Sequence, residues 1–173
     1  QGAEAGSDAQ FQFVKFFANM AATPAHGEIL AGLRDGSIAL EGLSVDTDLE
    51  WELLEGLALV GAITPGDIDA ALAKDNTSNG QQAASRANAA FPDAASKAAV
   101  MEHLLTDDSV PNAIVRMTTM GFQHVNDPAG LEGLVGRYFD ALTGIWTSRS
   151  YKIAEYLILG LYPAPLASLR LVD

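Results

Sequence analysis

The side chains that most often bind catalytic metals are few and widely separated in this chain. Its three histidines are His26, His103 and His124. A helical zinc hydrolase site needs two histidines four residues apart with a glutamate between them. No such motif occurs, and no two histidines are neighbours in sequence. We therefore interpret all three as surface or helix-end residues.

The acidic residues Asp46, Asp48 and Glu50 have the alternating spacing that begins a calcium-binding loop. The sixth position of such a loop must be glycine, but here it is Trp51. The acids are better explained as the first turn of a helix, where carboxylates favour the positive end of the helix dipole. The chain also lacks a phosphate-binding loop and a Gly-x-Ser-x-Gly nucleophile motif. The residues predict no catalytic residue, no metal ligand and no cofactor in this chain.

Three basic residues are the remaining candidates for a functional role. Lys97 and Arg149 lie beside apolar segments, so each is a buried ion-pair partner, an ordinary surface charge or a contact for a peptide carboxylate. Arg116 is a further candidate for a peptide-chamber contact or a structural ion pair. Large aromatic residues within apolar helical stripes are expected to anchor the core, and the candidates are Trp51, Trp146 and Phe139.

The elements that position these residues are predicted to be helices throughout. The clearest apolar stripe recurs every three or four residues, at Leu131, Leu134, Val135, Tyr138, Phe139, Leu142, Ile145 and Trp146. Helix-start signals recur at Ser7-Asp8, Asp46, Thr64-Pro65, Asp93 and Asp108. About nine helices with short links form antiparallel pairs. We predict an all-α fold of paired helices in an α-solenoid, a HEAT-like superhelical arrangement.

Length, net charge and apolar runs limit the kinds of partner that the chain can bind. The chain has 173 residues, which suits one domain. Its formal net charge of -12 repels phosphate backbones, so we expect no nucleic-acid partner. The most apolar run, residues 156–162, is far shorter than the roughly 18 residues that span a bilayer, so we expect no membrane partner. The chain begins with Gln1, and we expect it to be a piece of a longer protein or a processed one.

An ordered set of short motifs gives a more specific indication. They read VDTDLEW at residues 45–51, IDAALAKDNT at 68–77, GF at 121–122, RYF at 137–139, WTSRS at 146–150 and LYP at 161–163. In this order and spacing they resemble the C-terminal helical domain of zinc aminopeptidases of the aminopeptidase N family, most closely the actinobacterial members. Residues 46–163 are the best-matching core, and residues 1–45 are expected to form entry helices and a link within one domain of residues 1–173.

The resemblance implies a parent enzyme that uses zinc to remove N-terminal residues from peptides. The family's zinc-binding and catalytic motifs belong to another domain and do not occur here. This chain is therefore expected to be inactive alone and to bind no zinc. The resemblance implies that it walls the peptide chamber and limits access to the active site. Its expected partners are the catalytic domain of the same polypeptide and the peptide substrates, and its expected location is the cytoplasm.

A second hypothesis keeps the fold and changes the function. The chain would then be a free-standing helical-repeat adapter that binds another protein on its concave face. The gene sequence upstream of Gln1 separates the two: a nearby zinc-aminopeptidase motif set supports the first, and a start codon close to Gln1 supports the second.

The first predicted helix generates a testable expectation, because Phe11, Phe13, Phe16 and Phe17 cover most of its circumference. We expect this helix to mediate self-association of the isolated chain, which would bury apolar area worth about 25 cal/mol per Å². Sedimentation should show a concentration-dependent oligomer that Phe16→Glu or Phe17→Glu dissociates. A strict monomer at high concentration, unchanged by either substitution, would contradict the expectation.

Overall fold

The computed structural model describes residues 2–167, and within that range all regular secondary structure is helical. The α-helices are α1 (Asp8–Asn19), α2 (Pro24–Asp35), α3 (Thr47–Leu59), α4 (Pro65–Lys74), α5 (Ser78–Ala90), α6 (Ala94–Thr106), α7 (Asn112–Gln123), α8 (Val135–Ser148) and α9 (Tyr151–Gly160). Two 3₁₀ helices cover Pro128–Leu134 and Ala164–Leu166. The predicted all-α class is confirmed.

Short polar side chains fix where several helices begin. The carboxylate of Asp46 accepts a hydrogen bond from the backbone N–H of Leu49 at 2.8 Å, at the start of α3. Asp93 accepts in the same way from the N–H of Ser96 at 2.9 Å, at the start of α6. These bonds satisfy N–H groups that have no partner within the helix. They also set the points at which the chain reverses direction between consecutive helices.

The helices pack in two layers. The odd-numbered helices form one continuous row, in which α1 packs on α3, α3 on α5, α5 on α7 and α7 on α9. The even-numbered helices lie against this row, with α2 on α3, α4 on α5, α6 on α7 and α8 on α9. Each even-numbered helix thus packs on the odd-numbered helix that follows it. The α-solenoid arrangement itself stays a prediction.

Helix α3 is buried on nearly all sides because it contributes to the core on both flanks. Leu53 and Leu57 pack with α1 and α2, whereas Leu54 and Ala58 pack with α4 and α5. A helix that is apolar all round needs neighbours on every side. A third apolar cluster, around Phe122, fills the space between α5 and α9.

Glycines and small residues let the odd-numbered helices approach closely. A Cβ atom on Gly121 of α7 would collide with the backbone carbonyl of Arg86 in α5. A Cβ on Gly56 of α3 would meet the carbonyl of Ala18 in α1, and one on Gly160 of α9 would collide with Thr119 of α7. At three of the four crossings in the row, therefore, a side chain larger than hydrogen has no space.

One helix begins later than the sequence predicts. The apolar stripe was expected to be helical from Leu131, but residues Pro128–Leu134 form a 3₁₀ helix and α8 begins at Val135. Glycine lowers helix propensity, and Gly130 and Gly133 fall within this segment. A Cβ on Gly130 would collide with the carbonyl of Pro92, so tertiary packing also holds the tighter turn in place.

The close crossing of α5 and α7 generates a stability prediction. Gly121→Ala should destabilise the chain by about 1–3 kcal/mol, because the added methyl forces the helices apart. Gly144→Ala in α8 is the matched control, since a Cβ there meets no atom within 4 Å. It should leave stability unchanged or raise it by up to about 1 kcal/mol. Urea unfolding that gives the same shift for both variants would contradict the proposed packing constraint.

Candidate functional site

An open polar groove crosses the row of odd-numbered helices and is the candidate functional site. Its volume is about 280 Å³. Four successive odd-numbered helices contribute to it, together with Asp75 from the link before α5. The lining residues are Lys15 of α1; Asp48, Trp51, Glu52 and Glu55 of α3; Asp75; Asn79, Gln82, Ala83 and Arg86 of α5; and Met117 of α7.

Trp51 joins the core to one wall of this groove. Its side chain is only 8% exposed and packs between α3, α4 and α5. Its indole N–H donates a hydrogen bond of 2.9 Å to Oδ2 of Asp75. Thr77 donates a second one of 2.8 Å to Oδ1. These donors lower the pKa of the Asp75 carboxyl, the Trp51 bond being the largest cause, so Asp75 presents a fixed carboxylate to the groove.

A buried carboxylate forms part of the groove lining. Glu55 of α3 is 6% exposed, and its Oε1 lies 2.9 Å from Nε of Arg86 and 3.0 Å from Nδ1 of His124. The Nε–H of Arg86 does not meet hydrogen-bond geometry with any described residue, so its contact with Glu55 is a charge contact without a well-aligned hydrogen bond. The cluster joins α3, α5 and the end of α7 through one carboxylate.

The same region shows that the row of odd-numbered helices is bent. Nε2 of His124 lies 2.8 Å from the backbone carbonyl of Asn19, and the amide of Asn126 donates a hydrogen bond of 2.7 Å to the carbonyl of Ala21. Packed helices lie about 8–10 Å apart, so a flat row would separate α1 from α7 by roughly 25 Å. Direct contact between their C-terminal ends therefore requires the row to curve.

Lys97, one of the predicted candidates, lies in the protein interior. It is fully buried, and its ammonium donates to the backbone carbonyls of Ala89 at 2.7 Å, Phe122 at 3.0 Å and Gly121 at 3.4 Å. These carbonyls lie in the last turns of α5 and α7, where a cation is favoured by the helix dipole. Burial lowers the pKa of Lys97 from 10.5 to about 8, and the charge of Asp93 opposes that shift in part.

Arg149 and Arg116 occupy different environments. The guanidinium of Arg149 is largely buried, pairs with Asp108, and donates to the carbonyl of Leu105 at 2.9 Å and to that of Leu104 at 3.3 Å. It thereby caps the C-terminal end of α6. Arg116 is exposed on α7, immediately before the groove residue Met117. The structure thus does not bring the three predicted basic residues together.

Comparison with known proteins decides the family. The sequence profile described as ERAP1-like C-terminal domain matches residues 1–169. The chain belongs to this family. It is also 38% identical over all 173 of its residues to Aminopeptidase N of Streptomyces lividans, and it spans 20% of that protein's length. The resemblance drawn from the ordered motifs is confirmed.

Two of the expected core anchors of this ERAP1-like C-terminal domain are not buried. Trp146 is 65% exposed and Phe139 is 46% exposed. Both lie on α8, seven residues apart, and each is rotated by about 100° around the helix from the buried residue before it, Tyr138 or Ile145. The apolar stripe is wider than the face that α8 packs against α9 and the 3₁₀ helix, and the expectation for these two residues is corrected.

The N-terminal end of the domain also presents apolar side chains. Phe13 and Phe16 are more than 60% exposed, whereas Phe11 and Phe17 are partly buried. Phe13 lines an apolar cavity of about 560 Å³ between α1, α2 and the segment that follows α2. Self-association through this helix stays a prediction.

Neither a cluster of metal ligands nor a membrane-spanning helix is found in the part of the chain that the structure describes. Among residues 2–167, no three or more His, Asp or Glu side chains are grouped so that they could hold a metal ion. No helix in the same range is long and apolar enough to cross a bilayer.

The sequence did not indicate a role for three groove residues, Glu55, Arg86 and Asp75. His124 was predicted only to be a surface or helix-end residue, without its contact to Glu55. Glu55 did carry a local signal, because it is a carboxylate within the apolar run from Leu53 to Leu57. Its partner His124 is 69 residues away, and no local pattern predicts that contact.

The environment of Lys97 predicts a pH dependence of stability. Its pKa is about 8 in the folded chain and 10.5 when solvated. Between these values the unfolded chain holds a proton that the folded chain has lost, so the free energy of unfolding rises with pH. Relative to Lys97→Met, the natural chain should gain stability from about pH 8 to pH 10.5, by at most about 1.4 kcal/mol per pH unit. A constant difference between the two unfolding curves across this window would contradict the assignment.

Proposed function

We propose that this domain is the non-catalytic C-terminal part of a zinc-dependent aminopeptidase that removes N-terminal residues from peptides. The observation that carries the proposal is the open polar groove on the bent row of odd-numbered helices, in a chain that matches Aminopeptidase N along its whole length. Zinc and the reacting groups are proposed to lie in a catalytic domain of the same polypeptide, and the proposed location is the cytoplasm. The chain spans 20% of the length of its Streptomyces lividans relative, which leaves room for such a domain.

The groove face is proposed to wall the chamber in which the peptide lies. The side-chain amides of Asn79 and Gln82 line it, and an amide both donates and accepts hydrogen bonds, as a peptide backbone requires. Such contacts are independent of peptide sequence, which suits an enzyme that processes many peptides. The same wall is proposed to limit the access of folded proteins to the active site.

The three predicted basic residues have different proposed roles, because only some of them direct their charge into the domain. Lys97 and Arg149 direct their charged groups at backbone carbonyls within the domain, so their role is to hold α5, α6 and α7 in place. Arg116 is exposed on α7 and is the one of the three proposed to contact peptides.

The experiment uses the full-length enzyme and two kinds of substrate. Ala83→Trp fills the groove, whereas Ala70→Trp places the same bulk on the exposed surface of α4 in the other layer. For a peptide of about ten residues, extended over about 33 Å, Ala83→Trp should lower kcat/KM by roughly tenfold, a loss of about 1.4 kcal/mol. For a single amino-acid anilide, which does not reach the groove, kcat/KM should be unchanged.

The Ala70→Trp variant should match the natural enzyme with both substrates. Gln82→Arg, on the edge of the groove, is the second variant in case Ala83→Trp disturbs folding, which thermal unfolding reports. If groove and surface variants cleave the long peptide equally well, the groove does not contact substrates. If the anilide loses as much as the peptide, the effect lies in the catalytic domain.

A further inference from the structure

We infer that the groove selects peptides that carry a basic side chain at a position distant from the scissile bond. This inference rests on the proposed function, because it assumes that peptides reach the groove, and it adds a substrate preference. It follows from how the charged groups of the groove are paired.

Both basic residues in the groove are already committed to acids of the groove. Nζ of Lys15 lies 2.9 Å from Oε1 of Glu52, and Nε of Arg86 lies 2.9 Å from Oε1 of Glu55. The charges of Lys15 and Arg86 are therefore balanced by Glu52 and Glu55, and an acidic peptide side chain would meet no net positive charge in the groove.

Two acids remain after these pairs are formed. Asp48 is exposed in the first turn of α3 and has no ion-pair partner in the described part of the chain. Asp75 is held by neutral donors, Trp51 and Thr77, which orient its carboxylate without neutralising it. The groove therefore has two carboxylates, those of Asp48 and Asp75, whose negative charge no basic residue of the groove balances. This negative charge attracts a cation.

The remaining surface of the groove suits the rest of a basic side chain. Trp51, Ala83 and Met117 provide apolar contacts beside the carboxylates. Lysine and arginine have an apolar stem that packs on such a surface while the charged end stays solvated. A neutral polar side chain lacks the charge that the two carboxylates attract, and a purely apolar one gains only the packing contact.

The test compares peptides that differ at one position in the full-length enzyme. Lysine, glutamine or glutamate is placed in turn at each position beyond the third residue, with the N-terminal residues constant. At the position that reaches the groove, kcat/KM for the lysine peptide should exceed that for the glutamate peptide. Asp48→Asn and Asp75→Asn should each reduce this ratio about two- to fivefold, the range of a solvent-exposed ion pair.

Glu28→Gln is the matched control, because it removes one exposed charge from α2, outside the groove. It should leave the ratio unchanged. This result would distinguish an effect of the groove carboxylates from a general effect of the chain's net charge of -12. Equal reduction by Glu28→Gln, or a ratio of one or less at every position, would overturn the inference. If the groove variants slow lysine and glutamate peptides equally, peptides reach the groove but charge does not select them. If Ala83→Trp also has no effect on either, the proposed function itself fails.

Discussion

The close approach of α5 and α7 is the constraint on which the rest of this domain depends. Gly121 lets the backbone of α7 lie against the carbonyl of Arg86, and the last turns of both helices then come within reach of one ammonium. Lys97 donates to carbonyls of both helices from the fully buried interior. Without the short separation, these carbonyls would face an apolar interior unpaired, at a cost of about 1–3 kcal/mol each.

The same packing determines the shape of the candidate site. Because the odd-numbered helices are close, side chains from four of them meet in one groove, and Glu55 can contact both Arg86 and His124. His124 in turn reaches the end of α1. The bent row thus places polar residues inside the curve, while the apolar residues of α3 face the neighbouring helices. A surface of this kind suits extended peptides better than a folded partner.

Local signals predicted the helices well, and long-range contacts could not be predicted from them. Asp46 and Asp93 cap helices at the positions that the sequence indicates, because capping involves residues only three apart. The predicted start of α8 at Leu131 was wrong. The apolar spacing favours an α-helix there, but the packing of Gly130 on Pro92 holds the segment in a 3₁₀ helix. The prediction that Trp146 is a buried core anchor was wrong for a related reason. Periodicity shows which residues share a helix face, but it does not show whether another element covers that face. The contact between Glu55 and His124 has no local signal at all.

The central claim is that the groove of this domain contacts the peptide during catalysis. Photo-crosslinking in the full-length enzyme tests it most directly, with a peptide of about ten residues that carries benzoylphenylalanine near its carboxyl end. If the groove contacts the peptide, adducts should form on groove residues of α5 and α7, such as Gln82 and Met117, and an excess of unlabelled peptide should abolish them. Adducts confined to the even-numbered helices, or none within this domain at any position of the label, would contradict it.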